Sequence, residues 1–220
     1  MESLVRSIRR LQQRLQEADI PSVVIGGVAI ALWGEPRVTR DVDLKILLGR
    51  HEADRLLTVL TPDYTPLLPD PRHALREQAT LFVQDSAETR LDLLLADTPY
   101  DVQAIRRGRI VELQPGATIC VCSPEDLVIY KLVSIRLRDR EDAASVVRRQ
   151  SDTLDDSYVL HWLRQFEQAL DDSTLVPEYT RLRAGKRWEG AAERKSEIWS
   201  GPHVSPSGVG PGGVVSSQNW

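Results

Sequence analysis

The sequence predicts an α+β fold, in which a mixed β-sheet is flanked by helices and helical additions follow towards the C-terminus. Three patterns indicate this class. A strand, a helix and a second strand follow one another over residues 23–48, and a hairpin pattern covers residues 80–95. Residues 123–170 instead show helical spacing and helix-capping residues. Strands interleaved with helices, followed by helices alone, predict a sheet domain with a helical region behind it.

The first helix is predicted over residues 2–18, and Pro21 closes that segment. Its apolar residues recur with the spacing of one helix face: Leu4, Ile8, Leu11 and Leu15. This spacing indicates an amphipathic helix whose apolar side packs against the sheet. Its expected role is structural.

The next element is a short apolar strand that leads into a pair of glycines. Residues 23–25 suit a buried strand, and Gly26 and Gly27 then allow the backbone to turn tightly and to approach a ligand closely. A helix is predicted to follow, up to Trp33. Because its free N–H groups and positive dipole end would face the glycine turn, the turn is a candidate binding site for phosphate.

A strand predicted over residues 41–48 carries two carboxylates. Since side chains alternate across a strand, Asp41 and Asp43 share one face. Neighbouring carboxylates repel each other unless a proton or a cation is shared between them. Magnesium takes a few carboxylate oxygens together with water and substrate phosphates, so the pair predicts a magnesium-nucleotide site. The alternative is a solvated strand end, but the preceding glycine turn favours the metal site.

The predicted hairpin supplies a third carboxylate, Asp92, in the middle of an apolar strand. Charged residues are rarely buried without a partner, so Asp92 either lies at the solvated end of the strand or faces a metal ion. With Asp41 and Asp43 it would complete the ligand set of a two-metal site. A further strand is predicted over residues 117–122.

The segment after residue 122 begins with a helix start, because Ser123 and Pro124 are a favourable cap and first position. Lys131 lies within this helix, and Asp139 and Asp142 belong to the next helical segment. Alternating charges of this kind usually decorate a solvated helix surface, which is the alternative to a functional role. Another helix is predicted over residues 156–170.

The composition narrows the class of protein. The chain has 220 residues, 41% of them apolar, which is enough to bury a core. A formal net charge of −4 weighs against indiscriminate nucleic-acid binding, although local arginines can pair with phosphate. Cys120 and Cys122 are expected to be reduced thiols. No apolar run is long enough to span a membrane and no signal-peptide pattern occurs, so we expect a cytoplasmic protein without membrane contact.

In combination, these motifs resemble the AbiEii-type nucleotidyltransferases of the DNA polymerase beta superfamily, the toxins of type IV toxin-antitoxin systems. The resemblance covers roughly residues 20–150 and follows the order glycine pair, P-R-x-T-x-D-V-D-L, LDLLL and a lysine helix with R-D-x-x-D. It implies the nucleotidyltransferase fold and transfer of a nucleoside monophosphate from a nucleoside triphosphate to a hydroxyl group, such as that of transfer RNA. It also implies two Mg²⁺ ions as cofactor and a cognate antitoxin as partner.

The resemblance implies a role for individual residues. The implied nucleotide-binding residues are Gly26, Gly27, Arg37, Thr39 and Lys131. The implied metal ligands are Asp41, Asp43 and Asp92, and Asp92 would also activate the acceptor hydroxyl. The implied catalytic set consists of these aspartates with Lys131 and Asp142, supported by Asp139.

The predicted organisation has three parts. Residues 1–122 form the nucleotidyltransferase core, residues 123–184 form a helical region, and residues 185–220 form a flexible tail rich in Gly, Pro and Ser. Two alternatives to RNA modification stay open: nucleotidyl transfer to a small molecule or protein, and a non-catalytic nucleotide-binding or partner-binding module. The presence of all three aspartates and Lys131 favours turnover, because a binding module has no need of an acceptor-side carboxylate.

Overall fold

The structure is a computed structural model that describes residues 2–39 and 41–185. Apart from Gly185, the predicted tail over residues 185–220 lies outside the described residues. Strands of the described part form one mixed sheet: β1 (Ser22–Ile25), β2 (Asp41–Ile46), β3 (Tyr64–Pro66), β4 (Thr80–Asp85), β5 (Arg90–Leu95), β6 (Arg109–Gln114) and β7 (Ala117–Val121). The helices are α1 (Glu2–Glu17), α2 (Gly26–Trp33), α3 (Ala53–Leu60), α4 (Pro71–Gln78), α5 (Pro99–Arg106), α6 (Pro124–Val133), α7 (Leu137–Arg149), α8 (Asp156–Leu170) and α9 (Leu175–Arg183).

The strand order across the sheet is β3-β4-β5-β2-β1-β7-β6. At its centre, β2 pairs in parallel with β5 and antiparallel with β1, and β1 pairs in parallel with β7. The predicted α+β fold with a mixed sheet and flanking helices is therefore confirmed. The predicted hairpin of residues 80–95 is also confirmed, since β4 pairs antiparallel with β5.

The central strands bury one face and leave the other partly open. On β2, Val42, Leu44 and Ile46 are fully buried, whereas Asp41 and Asp43 are only partly buried. Burying each large aliphatic side chain stabilises the fold by about 1.5–3 kcal/mol, so this alternation fixes which face points to the core. A register shift of one residue would bury the aspartates instead. The predicted orientation of the carboxylate pair is confirmed.

Helices cover the sheet as their sequence patterns predict. In α1, Ile8, Leu11 and Leu15 are fully buried, as expected for its apolar side. α6 starts at the predicted cap, where the Ser123 hydroxyl accepts a hydrogen bond from the backbone N–H of Asp126. α8 has the bounds that the sequence predicts. No helix of the described segments combines the length and the apolar character that a membrane span needs.

The helices that follow residue 122 share the core of the sheet. One continuous group of buried apolar residues includes Val24 of β1, Leu127 of α6, Val146 of α7 and Leu163 of α8. The predicted boundary between a core of residues 1–122 and a helical region of residues 123–184 stays a prediction. Both cysteines are free thiols, and only Cys122 is fully buried.

Candidate active site

Sheet pairing brings together the three aspartates that the sequence singles out. Asp43 on β2 lies directly opposite Asp92 on β5, and Asp41 lies opposite Arg90. Neighbouring strands run about 4.8 Å apart, and all four side chains belong to the face that the core does not use. We call Asp41, Asp43 and Asp92 the carboxylate face. Its members are far apart in the sequence, and the parallel pairing of β2 with β5 makes them neighbours.

The glycine turn lies against the carboxylate face. Asp43 is the register partner of Ile25, the last residue of β1, so the next residue, Gly26, comes close to its side chain. A Cβ atom on Gly26 would be 1.9 Å from Oδ2 of Asp43, and the φ of Gly26 is +63°. Both the space and the backbone conformation therefore require glycine at this position. α2 begins here, so its N-terminal end faces the carboxylate of Asp43.

The charge of Asp43 is unfavourable in its surroundings. Burial, followed by the negative charges of Asp41 and Asp92, raises the pKa of Asp43 above its ordinary value. Attraction to Lys131 and a hydrogen bond from the backbone of Gly27 offset this effect only in part. An ionised Asp43 is thus under-neutralised by the protein itself, which is the condition under which a carboxylate binds a cation well.

Thr39 connects the glycine turn to the first aspartate. Its hydroxyl lies 3.1 Å from Oδ1 and 2.9 Å from the backbone oxygen of Asp41, within hydrogen-bonding distance of both. The same hydroxyl would be 2.6 Å from a Cβ atom placed on Gly27. The predicted nucleotide-binding residue Thr39 therefore packs on the glycine turn and orients Asp41. A nucleotide contact of Thr39 stays a prediction.

Behind the carboxylate face, four charged residues form an ion network: Arg37, Lys131, Asp139 and Asp142. Arg37 donates to both oxygens of Asp142, at 3.1 Å from Nε and 3.0 Å from Nη2. Nζ of Lys131 contacts both Asp139 and Asp142, the latter at 3.0 Å. The network joins the loop of residues 34–39 to α6 and α7.

Burial makes this network more than a solvated helix surface. Lys131, Asp139 and Asp142 are all buried. Burial alone would raise the pKa of Asp142, but its hydrogen bonds to Arg37 and Lys131 lower that pKa below the ordinary value. The structure thus brings Lys131, Arg37 and Asp142 together, and their contact with a nucleotide and their part in catalysis stay predictions.

One residue of the site, Arg90, was missed by the sequence analysis. Its guanidinium donates to both oxygens of Asp92, at 2.7 Å and 3.0 Å. The hydrogen bonds with Asp92, together with the charges of Asp41 and Asp43, raise the pKa of Arg90. The period-two rule that put Asp41 beside Asp43 also puts Arg90 beside Asp92, so the signal was present in the sequence.

The donor atoms fit a magnesium ion bound together with a nucleotide. Within residues 2–39 and 41–185, no three His, Cys, Asp or Glu side chains already form a ligand set. Asp41 and Asp43 nevertheless offer adjacent carboxylates, and magnesium usually takes one or two of these with water and substrate phosphates. Asp92 lies next to them but is paired with Arg90, and it would join the set only by changing that partner.

Comparisons with known proteins give the family and the fold of the chain. A family model described as "Nucleotidyltransferase of unknown function (DUF6036)" matches residues 1–155. A search of curated proteins finds no match. The match supports the nucleotidyltransferase part of the predicted resemblance, whereas the narrower AbiEii type stays a prediction.

Solved structures share the fold at low sequence identity. An antigenic nucleotidyltransferase-like protein from Paracoccidioides brasiliensis is 17% identical with a TM-score of 0.55, covering 84% of this chain and 94% of that one. The antibiotic-resistance factor ANT(2'')-Ia is 14% identical with a TM-score of 0.52, covering 77% of this chain and 96% of that one. Its complex with adenylyl-2''-tobramycin is 16% identical with a TM-score of 0.50, covering 76% and 99%. The predicted nucleotidyltransferase fold is confirmed.

Proposed function

The chain belongs to this family of nucleotidyltransferases, and we propose that it transfers a nucleoside monophosphate from a nucleoside triphosphate to a hydroxyl group with the help of magnesium. Asp41, Asp43 and Asp92 would hold two Mg²⁺ ions in this reaction. The observation that carries the proposal is the register of β2 and β5, which puts Asp92 opposite Asp43 on the open face of the sheet. The close approach of Gly26 to the same carboxylate supports a triphosphate at this position.

Each part of the site has a task in the proposed reaction. The glycine turn and the N-terminal end of α2 suit the triphosphate, because backbone N–H groups and the helix dipole favour negative charge. Arg37 and Lys131 add positive charge next to the carboxylate face, and Asp142 holds both of them in place. Asp142 would thus act through its two cationic partners, as a positioning residue.

The chemistry needs little covalent work by the protein. Bound magnesium supplies positive charge for the transferring phosphoryl group and makes the acceptor hydroxyl more acidic. Asp92 would accept the proton of that hydroxyl, and the attacking oxygen would displace pyrophosphate from the α-phosphorus. Catalysis by positioning and electrostatics of this kind is sensitive to small displacements of the aspartates.

An incorporation assay tests the proposed activity. The purified protein is incubated with Mg²⁺, each α-labelled nucleoside triphosphate in turn, and a mixture of acceptors. Labelling by Asp43→Asn should be at least about a thousandfold lower than by the wild type, because a neutral amide binds magnesium more weakly than a carboxylate and does not balance its charge. Asp54→Asn is the matched control, since Asp54 is an exposed residue whose partners are Arg72 and Arg76. Equal labelling by the Asp43 variant and the wild type would contradict the proposal.

The acceptor is tested by separate arms of the same assay. The resemblance to AbiEii-type enzymes supports transfer RNA as acceptor in the cytoplasm, with the protein as the toxin partner of an antitoxin. Labelling of purified transfer RNA, and growth arrest that depends on Asp43 when the gene is expressed, would support that form. Labelling of protein bands in a lysate would support a protein acceptor instead.

A small-molecule acceptor is the second candidate. It is supported by the fold-level likeness to ANT(2'')-Ia, of which this chain covers 96–99% and which was solved in complex with adenylyl-2''-tobramycin. Transfer to tobramycin in the same assay, without labelling of RNA, would favour this form. A non-catalytic module would bind the triphosphate, give no labelled product with any acceptor, and show no difference between the wild type and Asp43→Asn in turnover.

A further inference from the structure

Arg90 is a charged residue of the site to which the proposed reaction gives no task. It begins β5 and points to the same side as Asp92, because side chains two residues apart share a strand face. In the pairing of β2 with β5, Arg90 lies opposite Asp41 while Asp92 lies opposite Asp43. One arginine and three aspartates therefore occupy a block of two positions on each of two neighbouring strands.

The Arg90 guanidinium occupies the whole carboxylate of Asp92. Nε donates to Oδ1 at 2.7 Å, and Nη2 donates to Oδ2 at 3.0 Å. The same guanidinium lies over the ring of Phe82, 4.6 Å from its centroid, and Phe82 is the neighbour of Asp92 on β4. A forked pair combined with stacking on an aromatic ring is a geometry that arginine forms and lysine does not.

The ion pair of Arg90 with Asp92 contributes little to the stability of the fold. Arg90 and Asp92 belong to the same strand, so their pairing ties no two elements together, unlike the pair of Arg37 with Asp142. The side chain of Arg90 is also 47% exposed, although that of Asp92 is only 13% exposed. An ion pair whose cation is open to solvent contributes little to stability. The pair is thus cheap to break, and its place on the carboxylate face makes breaking it relevant to metal binding.

We infer that Arg90 is a built-in competitor of the metal ion, which holds Asp92 in the metal-free protein and has to release it when Asp92 becomes a metal ligand. The inference rests on the proposed function, since it takes Asp92 as a ligand of magnesium. A divalent ion on the same carboxylate would lie next to the guanidinium, and two cations at such a separation repel each other. Arg90 therefore weakens binding of the metal alone and keeps the carboxylate face partly neutralised until a metal arrives.

Metal affinity measured without turnover tests this role. Titration calorimetry with Mn²⁺ alone is carried out on the full-length, nucleotide-free wild type and on Arg90→Gln. The variant should bind Mn²⁺ up to about fivefold more tightly, the factor that corresponds to removing one ion pair whose cation is exposed to solvent. Arg164→Gln, which makes the same charge change at an exposed position of α8, should leave the affinity unchanged. Equal or weaker Mn²⁺ binding by Arg90→Gln would overturn the inference.

A double-mutant cycle separates competition for Asp92 from a general effect of positive charge. In an Asp92→Asn background no Asp92 carboxylate is left for which Arg90 and the metal compete, so Arg90→Gln should then tighten Mn²⁺ binding less than it does in the wild-type background. Tightening of undiminished size in this background would mean that Arg90 acts only through its field, and it would overturn the inference. Arg90→Lys retains the charge and loses the forked pair, so its Mn²⁺ affinity should lie between those of the wild type and Arg90→Gln.

The same titrations distinguish this inference from the proposed function. If Asp43→Asn abolishes Mn²⁺ binding while Arg90→Gln and the wild type bind equally, the competition is wrong and the proposed metal site stands. If neither the wild type nor Arg90→Gln binds Mn²⁺ alone, the inference fails, whereas the proposed function, in which the metal binds together with a nucleotide, is decided by the incorporation assay. Circular dichroism of each variant verifies the fold, and Arg90→Gln should retain the wild-type spectrum because its ion pair joins no elements.

Discussion

Two charged regions lie side by side in this protein and differ in how far their charges are paired with opposite charges. The carboxylate face gathers three aspartates on neighbouring strands, and among the residues that the structure describes only Asp92 pairs through both its oxygens with a cation. The ion network behind it alternates two cations with two carboxylates, so that each charge contacts at least one opposite charge. In the first region burial, followed by repulsion from Asp41 and Asp92, raises the pKa of Asp43. In the second region pairing with Arg37 and Lys131 outweighs burial and lowers the pKa of Asp142.

The difference suggests a division of labour. Removing a charge from the network leaves a buried partner unsatisfied and should cost stability. Removing a charge from the carboxylate face relieves repulsion and should cost function alone. Natural proteins commonly give up stability at the residues that do chemistry. If removing a charge lowers the stability in the ion network and raises it in the carboxylate face, the carboxylate face is identified as the functional region.

The largest effect is expected for Lys131→Met, which removes the central cation of the network. Asp139 and Asp142 then stay buried without it, and the free energy of unfolding should fall by about 3 kcal/mol, the lower end for a broken buried pair because Arg37 still neutralises Asp142. Urea unfolding measures the change. The matched control is Arg148→Met, which breaks an exposed ion pair with Glu35 and should cost less than about 1 kcal/mol. Equal losses in the two variants would erase the distinction between buried and exposed charge.

Gly26→Ala tests the contact between the glycine turn and the carboxylate face. The new Cβ meets Oδ2 of Asp43 and also strains a backbone at positive φ, so we expect a loss of about 2 kcal/mol. Gly116→Ala is the control, because its φ is +73° but nothing lies within 4 Å of the added Cβ. Thermal unfolding of both variants separates the clash from the backbone strain. A loss no larger than that of Gly116→Ala would mean that Asp43 moves aside without cost.

The part of this arrangement that lies within one short segment of the chain was predictable from the sequence. Gly26, Asp41 and Asp43 belong to one strand-helix-strand segment, where hydrophobic alternation and glycine chemistry determine the structure over short distances. The position of Asp92 opposite Asp43 depends on a parallel pairing between strands that are far apart in the sequence, and no local pattern encodes that register. Arg90 could have been found, since the period-two rule applies to β5 as it does to β2.

The ion network was predictable only as a set of charged residues. Helical spacing puts Asp139 and Asp142 on one side of α7, because residues three apart are neighbours on a helix. Their burial depends on how α6 and α7 pack, which the sequence does not state. The alternative of a solvated surface was therefore reasonable for a sequence pattern, and it is wrong for these buried residues.

The pH dependence of the stability of Asp142→Asn tests the pairing in the ion network. Because the pKa of Asp142 is lowered in the folded protein, its ionised form stabilises the fold above the ordinary carboxyl pKa, and this contribution is lost as pH falls through the lowered value. At pH 7 the variant should be about 1.5 kcal/mol less stable than the wild type, as expected for hydrogen bonds to a charged group. The difference should shrink below about pH 4. Urea titrations from neutral to acid pH measure it, and a constant difference would contradict the ionic role of Asp142.

The smallest expected effect has the opposite sign and belongs to Asp43→Asn. The amide retains the shape of the side chain and an oxygen that can accept from Gly27, but it removes a charge that burial disfavours and that Asp41 and Asp92 repel. In EDTA at pH 7, the free energy of unfolding of the variant should be about 1 kcal/mol higher than that of the wild type. This advantage should vanish at low pH, because a protonated Asp43 is no longer repelled. Saturating Mn²⁺ should reverse the order, since only the wild type gains the binding energy of the metal. A variant that is less stable than the wild type in EDTA would show that Lys131 already neutralises Asp43, and the two regions would then form one paired network.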